Sequence, residues 1–215
     1  MTAPLIALDA DGVLVDYHIG YATAWKLAFG ETLQVRDPQG YHPMHYWDVP
    51  LLSRVEQEHL ASNGFTEEVW RTMPALPGAV QACELMQAMG FRLQCVTALP
   101  PHRRAAREAN LAGLGFRLDT VHAVGPRPWE RSVERPRNPK QAIITSLAPD
   151  YFVDDCLHFF QGILPGVWRA LIDVRPNNSP NHDPALEPAH SHHGSLLAFA
   201  RWLEKTAPAR TNNVA

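Results

Sequence analysis

The chain has few cysteines, no long hydrophobic run and no long run of basic residues. Its 215 residues include three widely spaced cysteines, Cys83, Cys95 and Cys156, and this odd number argues against a disulfide framework or a zinc-binding cysteine cluster. No apolar stretch approaches the ~20 residues that cross a bilayer. The formal net charge is -3, which argues against a nucleic-acid polymer as partner. We expect a cytoplasmic globular protein with reduced, mostly buried thiols and no membrane partner.

We expect no signal peptide, because the first apolar run begins within a few residues of Met1. Further apolar runs of strand length alternate with amphipathic stretches of helix length. This alternation predicts an α/β fold, a Rossmann-like parallel sheet with helices on both faces. Strands are predicted at 5–8, 91–96, 118–124, 151–153 and 168–174, and helices at 78–89, 101–114, 139–147 and 195–205.

Two regions interrupt the alternation. Residues 16–74 contain helical patterns at 17–29, 53–62 and 66–72, and we interpret them as a small α-helical cap inserted after the first strand. The α/β core then comprises residues 1–15 and 75–215. Residues 176–193 are rich in Pro, Asn and His without periodicity, so we expect a long solvated loop there; its histidines lack the strict spacing of metal ligands.

The predicted cap contains a dense group of aromatic and histidine residues at positions 41–47. Bulky side chains of this kind commonly form the core of a small domain, and we favour that interpretation. The alternative is that one or two of the rings face the active site and stack on a base or sugar.

The most informative feature is the end of the first strand, where Asp9, Asp11 and Gly12 follow Leu5–Leu8. In open α/β sheets, ligands bind at the carboxyl ends of the strands. Two carboxylates that converge there repel each other unless a cation lies between them or one is protonated. The arrangement therefore suits magnesium-assisted phosphoryl chemistry. Two alternatives show the same sequence pattern: solvated acids in a loop after a buried strand, and DxDG calcium-binding loops.

Three further polar features follow predicted strands or begin a helix. Thr97 ends the second strand, Lys140 lies at the start of a helix, and Asp154 and Asp155 follow the apolar residues 151–153. With the Asp9–Asp11 pair, this ordered set closely resembles the four motifs of the haloacid dehalogenase superfamily. The resemblance covers about residues 5–175, and residues 9–16 also have a modest similarity to the first motif of deoxyribonucleotidases.

The resemblance implies a role for each residue. Asp9 would be the nucleophile that forms an aspartyl-phosphate, and Asp11 the acid that protonates the leaving oxygen and then activates water. Thr97 and the adjacent amide of Ala98 would bind phosphoryl oxygens, and Lys140 would hold the phosphate and offset the carboxylates.

The resemblance also implies a Mg2+ cofactor. Its ligands would be the Asp9 carboxylate, the main-chain carbonyl of Asp11 and a carboxylate from Asp154 or Asp155. We favour Asp154 as the direct ligand, with the other acid in an orienting role.

The sequence offers more than one basic residue that could bind the phosphate. The stretch 131–140 is basic, so Arg135 or Arg137 could take the role of Lys140, or the stretch could be a solvated basic loop.

The expected activity is magnesium-dependent hydrolysis of a small phosphate monoester, from a nucleotide or a sugar or other metabolite. Members of the superfamily that cleave carbon–halogen bonds lack an acid at the position of Asp11, so the resemblance implies that dehalogenase activity is absent. Two alternatives are a phosphomutase of the same superfamily and a non-catalytic regulator that binds a phosphorylated ligand. The sequence does not indicate an oligomeric state.

Overall fold

The computed structural model describes residues 3–125 and 138–206, and its centre is a six-stranded sheet with the order β3-β2-β1-β4-β5-β6. Every neighbouring pair of strands is parallel. The predicted Rossmann-like α/β class is therefore confirmed. The strands are β1 (Leu5–Leu8), β2 (Arg92–Thr97), β3 (Val121–Ala123), β4 (Tyr151–Asp154), β5 (Trp168–Ile172) and β6 (Ser191–His193).

The central strands bury both faces, because successive side chains point to opposite sides of a sheet. Ile6 and Leu8 of β1 belong to one hydrophobic cluster, whereas Ala7 between them belongs to the other. In β4, Phe152 and Val153 divide between the same two clusters. Continuous apolar runs of this kind are characteristic of parallel strands covered on both faces.

Helices supply the two covering layers and the insertion. The first helix is capped at its N-terminus by Asp16, whose side chain accepts a hydrogen bond from the His18 amide, and at its C-terminus by Gly30, with a φ of 75°. The helices are α1 (Tyr17–Phe29), α2 (Pro43–Tyr46), α3 (Arg54–His59), α4 (Glu67–Thr72), α5 (Ala79–Ala88), α6 (Arg104–Gly113), α7 (Gln141–Leu147) and α8 (Leu196–Thr206).

Residues 17–72 form a helical segment between β1 and β2. It contains the three predicted helices, the short α2 that the sequence pattern did not predict, and a π-helical turn at Leu60–Gly64 that directly follows α3. The connections that enter and leave the segment pair with each other, because the amide of Asp16 donates to the carbonyl of Pro74 and the amide of Leu76 donates to that of Leu14. Its interpretation as a separate cap domain stays a prediction.

The prediction of one long loop at residues 176–193 is wrong in part. Ser191–His193 forms β6, which pairs with β5, and Pro180–His182 forms a 3-10 turn. The ring of His190 stacks on Trp168. A three-residue polar strand at the edge of a sheet has too few apolar positions for a period of two to be recognised.

All three cysteines are buried and unpaired, as predicted. Within residues 3–125 and 138–206, no helix has both the length and the apolar character that a membrane-spanning segment requires.

Candidate active site

The sequence-predicted acids meet where the strand order reverses. β1 lies between β2 and β4: the chain adds β2 and β3 on one side of β1 and then crosses to the other side to add β4, β5 and β6. Such a reversal point opens a crevice at the carboxyl ends of the strands, the usual ligand site of this architecture. Asp9 follows β1, Asp154 ends β4 and Thr97 ends β2, so all three occupy this edge.

The turn after β1 requires glycine. Gly12 has a φ of 85°, in the left-handed region that other residues rarely adopt. A side chain at Gly12 would also collide with the carboxylate of Asp155. The turn is closed by the Gly12 amide, which donates to the Val15 carbonyl at 3.0 Å. Gly12 therefore lets the Asp9–Asp11 turn approach the acids that follow β4.

Lys140 joins the acids of β1 and β4. Its Nζ lies 2.6 Å from Asp9 Oδ1 and 2.7 Å from Asp154 Oδ2, and its side chain is fully buried. Burial alone would lower the pKa of Lys140, but the neighbouring carboxylates of Asp154 and Asp9 raise it above its ordinary value. Lys140 is therefore a fixed positive charge within the site.

Asp154 is held by two partners. Its Oδ2 accepts from Lys140 and its Oδ1 accepts from the amide of Cys156 at 3.0 Å. Burial raises the pKa of Asp154 above its ordinary value, and the nearby charge of Asp9 adds to this, against the opposing effect of Lys140. For the pKa of Asp154, burial and the charge of Asp9 therefore outweigh the contact with Lys140.

The three carboxylates Asp9, Asp154 and Asp155 each place one oxygen within 4.8 Å of the others. Asp9 and Asp154 share one cation among the described residues, the ammonium of Lys140, so two carboxylates formally face one positive charge there. Hard oxygen donors gathered in this way suit Mg2+, which prefers oxygen ligands and would offset the excess negative charge. The residues present therefore fit the expected metal.

The side chain of Asp11 has a different partner. Its Oδ1 accepts a hydrogen bond of 2.6 Å from Nη2 of Arg107, a residue of α6 that is fully buried. Among the described residues, the carboxylate group with metal-binding geometry does not include the Asp11 side chain. The expectation that Asp11 would contribute only its main-chain carbonyl to a metal is not tested by this geometry.

A cavity of about 60 Å3 opens beside these acids. Since one water-sized group needs ~10–15 Å3 by this measure, the cavity is of the right size for a phosphoryl group. Thr97 and Ala98 contribute to its wall, and their role in phosphate binding stays a prediction. The full lining comprises Asp9, Asp11, Gly12, Tyr17, His18, Tyr41, His42, Pro43, Thr97, Ala98, Asp155, Phe159, Ile172, Asp173, Val174 and Arg175.

The aromatic group at 41–47 divides between the two interpretations. Trp47 is buried and its Nε1 donates to the His18 carbonyl at 3.0 Å, while Tyr46 packs on the His18 ring. These residues form the expected small core. Tyr41 and His42 instead line the cavity. Burial, and then the charge of Asp155, raises the pKa of Tyr41 well above its usual value, which keeps its hydroxyl protonated.

The connection after β5 supports the site from the other side. Asn181 donates to the Asp155 carbonyl at 2.8 Å and accepts from the Leu157 amide at 2.7 Å. Asn177 exchanges main-chain hydrogen bonds with Gln39 and Tyr41 of the helical segment. This connection therefore fixes the backbone at Asp155 and binds the segment that carries Tyr41.

Sequence analysis did not identify three of these contributors, Arg107, Asn181 and Arg175. Arg107 could have been noticed, because it shares the inward face of α6 with Ala106, Asn110 and Leu111, and a charged residue on a buried face requires a partner. Arg135 and Arg137, the alternatives to Lys140, lie outside the described residues.

No protein-family model and no curated protein matches the chain. Solved structures do. L-2-haloacid dehalogenase from Xanthobacter autotrophicus, with chloropropionic acid covalently bound, is 13% identical over 96% of this chain and 100% of its own, with a TM-score of 0.58. A HAD-superfamily hydrolase of subfamily IA, variant 1, from Geobacter sulfurreducens is 14% identical over 94% of this chain and 96% of its own, with a TM-score of 0.58.

A third similar structure is D,D-heptose 1,7-bisphosphate phosphatase from B. bronchiseptica, complexed with magnesium and phosphate. It is 16% identical over 95% of this chain and 99% of its own, with a TM-score of 0.53. The chain has the haloacid dehalogenase fold. Identities this low establish the fold alone, so the activity must be argued from the residues of the site.

Proposed function

We propose that this protein is a phosphatase that hydrolyses a small phosphate monoester through an aspartyl-phosphate on Asp9, with Mg2+ as cofactor. The observation that carries the proposal is the group of Asp9, Asp154 and Asp155, whose oxygens lie within 4.8 Å of one another at the edge of a cavity, with Lys140 in contact with the buried Asp9 and Asp154. One structural neighbour, the heptose bisphosphate phosphatase, holds magnesium and phosphate, which supports the same chemistry here.

In the proposed site, Asp9, the main-chain carbonyl of Asp11, and Asp154 or Asp155 would hold Mg2+. The ion would supply the positive charge that lets an anionic nucleophile approach a phosphate dianion. Lys140 would add a second fixed charge, and the Thr97 hydroxyl and the Ala98 amide would donate to phosphoryl oxygens. Arg175, in the cavity wall, pairs with Asp16 at 2.8 Å and so adds little net charge.

In the first step, a carboxylate oxygen of Asp9 attacks phosphorus and forms a new O–P bond. The bond from phosphorus to the ester oxygen breaks, and its electron pair passes to the leaving oxygen. That oxygen takes the proton of Asp11 and departs as an alcohol. Asp9 is well placed, because the hydrogen bond of 2.9 Å from its amide to the Val153 carbonyl fixes its backbone on the sheet.

In the second step, a water oxygen attacks phosphorus and gives its proton to the Asp11 carboxylate. The acyl-phosphate bond breaks, which regenerates Asp9 and releases inorganic phosphate. Asp11 thus returns to its protonated state at the end of each cycle. The presence of an acid at this position favours phosphate esters over carbon–halogen substrates, since a halide leaves without a proton.

We propose a small phosphorylated metabolite or nucleotide as the substrate. Tyr17, Tyr41, His42 and Phe159 border the cavity, so rings of the protein lie beside the region where the leaving group must sit. A helical segment that closes over such a site would exclude bulk water.

The test is phosphate release from para-nitrophenyl phosphate by the purified protein, in Mg2+ and in EDTA. We expect turnover only with Mg2+, and Asp9→Asn should abolish it. Denaturing mass spectrometry of protein quenched in acid during turnover should find a phosphoryl group on the peptide that contains Asp9. The control is Asp48→Asn, which removes an exposed ion pair with Arg36 and should leave turnover unchanged.

Three outcomes would contradict the proposal. Turnover that survives Asp9→Asn would exclude the nucleophile. An isomerised sugar phosphate without phosphate release would indicate a mutase. Thermal stabilisation by nucleotides with no turnover of any ester would indicate a regulator that only binds.

A further inference from the structure

Arg107 is a fully buried charged residue outside the phosphate and metal cluster. It lies on α6, on the inward face with Ala106, Asn110 and Leu111, and none of its surface contacts solvent. The proposed reaction uses no arginine at this position. Such a side chain must find a negative partner, since an unpaired buried charge is strongly unfavourable.

The guanidinium of Arg107 makes four contacts, one of them from Nη2 to Met73 Sδ at 3.7 Å. Nη2 donates to Asp11 Oδ1 at 2.6 Å, and Nη1 donates to Asn110 Oδ1 at 3.1 Å. The ring of Trp70 lies 5.4 Å from its Cζ, within the range of a cation–π contact. The guanidinium is therefore held on one side by an amide, on one face by a ring, and on the other side by the proposed acid.

Asn110 anchors this arrangement to the end of the helical segment. Its Nδ2 donates to the carbonyls of Arg71 and Met73, at 3.0 and 2.8 Å. The side-chain oxygen that Arg107 binds is thus fixed by two main-chain contacts. A continuous chain of hydrogen bonds runs from the Asp11 carboxylate through Arg107 and Asn110 to the segment that leaves α4.

Packing alone is a poor explanation for Arg107. The Nε of Arg107 is buried and has no hydrogen-bond partner among the described residues, which is unfavourable. Replacing a buried ion pair by apolar residues of similar volume is often neutral or stabilising. The contact with Asp11, which lines the cavity, offers a functional reason for the arginine.

We propose that Arg107 is a positioning residue for Asp11, and that Asn110 orients its guanidinium. This inference rests on the proposed phosphatase reaction. By fixing Oδ1, Arg107 sets the rotamer of Asp11 and thereby the line along which its proton reaches the leaving oxygen. A misplacement of about 1 Å in such a geometry can cost ~10²-fold in rate.

The test uses aryl phosphates of similar shape whose leaving groups differ in basicity: para-nitrophenyl, para-chlorophenyl and phenyl phosphate. The value of kcat/KM is measured for each, because it reports the steps up to formation of the phosphoenzyme. Phenolate needs proton donation far more than nitrophenolate does. In Arg107→Met we expect kcat/KM for phenyl phosphate to fall at least about tenfold more than for the nitrophenyl ester, a fraction of the ~10²–10⁴ that an acid contributes.

Two further variants protect the test against loss of folding. Asn110→Ala keeps the charge of Arg107 but removes its anchor, and should steepen the dependence on the leaving group in the same direction, by less. Arg107→Lys keeps a cation that cannot reach Asp11 and Asn110 as a planar fork, and should lie between wild type and Arg107→Met. Arg104→Met is the matched control, since Arg104 is on the same helix in an exposed pair with Glu108.

The outcomes are distinct. Equal losses for all three esters in the variants would overturn the positioning role and leave a structural one. An unchanged dependence in Asn110→Ala would overturn the role of Asn110. A wild-type protein that hydrolyses none of the esters would overturn the proposed function and this inference with it.

Discussion

Two buried ionic clusters lie at the carboxyl edge of the sheet, and they differ in charge. In the first, the buried carboxylates of Asp9 and Asp154 contact Lys140, and Asp155 lies nearby. The second pairs Asp11 with Arg107. Among the described residues, two carboxylates share one cation in the first cluster, whereas one carboxylate contacts one cation in the second.

The difference indicates what each cluster is for. Buried carboxylates are strongly unfavourable without compensating charge, so a cluster with more carboxylates than cations beside a cavity supports the proposed Mg2+ site. A carboxylate paired with one cation needs no further ligand, and this supports the proposed role of Arg107 in fixing the orientation of Asp11.

Of the substitutions considered, Lys140→Met should lower the free energy of unfolding most. It removes the cation that, among the described residues, contacts both Asp9 and Asp154. We expect the free energy of unfolding to fall by about 3–5 kcal/mol, as for other broken buried pairs. Urea unfolding in EDTA measures this. Lys26→Met, an exposed lysine on α1, is the control and should stay within about 0.5 kcal/mol of wild type. A loss below 1 kcal/mol for Lys140→Met would mean that the carboxylates do not need the lysine.

His18 provides a buried titratable group at the cavity outside both clusters. Burial, and then the charge of Arg175, lowers its pKa to about 4, although Asp16 and the backbone at Gly40 and Tyr41 act in the opposite direction. The unfolded state therefore binds the proton first as the pH falls. Stability that is complete above pH 6.5 should decline by up to about 3 kcal/mol as the pH approaches 4.

Urea unfolding of wild type and His18→Gln across that range checks this expectation. Titration of the carboxylates is common to both proteins and cancels in the difference. The variant should lack the His18 part of the decline. Parallel curves for the two proteins would show that the imidazole is as easily protonated in the folded state as in the unfolded one.

Arg107→Met removes the cation of the second cluster, so its loss of stability can be compared with that of Lys140→Met. It leaves Asp11 without its arginine, but Asp11 lines the cavity, where water can solvate it, whereas Asp154 is fully buried. We therefore expect a loss of about 1–3 kcal/mol, smaller than for Lys140→Met. The same urea titration measures it. A larger loss for Arg107→Met than for Lys140→Met would mean that Asp11 depends on its cation more than Asp9 and Asp154 depend on theirs.

Arg104→Met should have the smallest effect. Its ion pair with Glu108 is half-exposed on α6, and exposed pairs of this spacing contribute about 0.3–0.5 kcal/mol. Raising the salt concentration should abolish the difference from wild type, because screening weakens surface pairs far more than buried ones. If Arg104→Met lowered the free energy of unfolding as much as Arg107→Met, burial would not explain the difference between exposed and buried ion pairs.

The sequence predicted the elements that local patterns specify. β1, β2, β4 and the helices were found within a few residues, because continuous apolar runs and helical spacing follow from burial of each element by itself. The edge strand Ser191–His193 was missed, since its pairing with β5 depends on main-chain contacts and not on apolar side chains. The short α2 within the aromatic group was missed for a similar reason, because four residues are too few to show a helical period.

For the site, the sequence by itself determined which acids, hydroxyl and amine stand at strand ends and helix starts: Asp9, Asp11, Thr97, Lys140, Asp154 and Asp155. Only the tertiary structure decided their partners. Asp11 meets Arg107 across 96 residues of chain, and Asp155 is supported by Asn181, from the connection after β5. Such pairings leave no periodic signal, because they depend on where the sheet order and helix packing bring distant segments, whereas strand-end positions are set by the local alternation of apolar and polar residues.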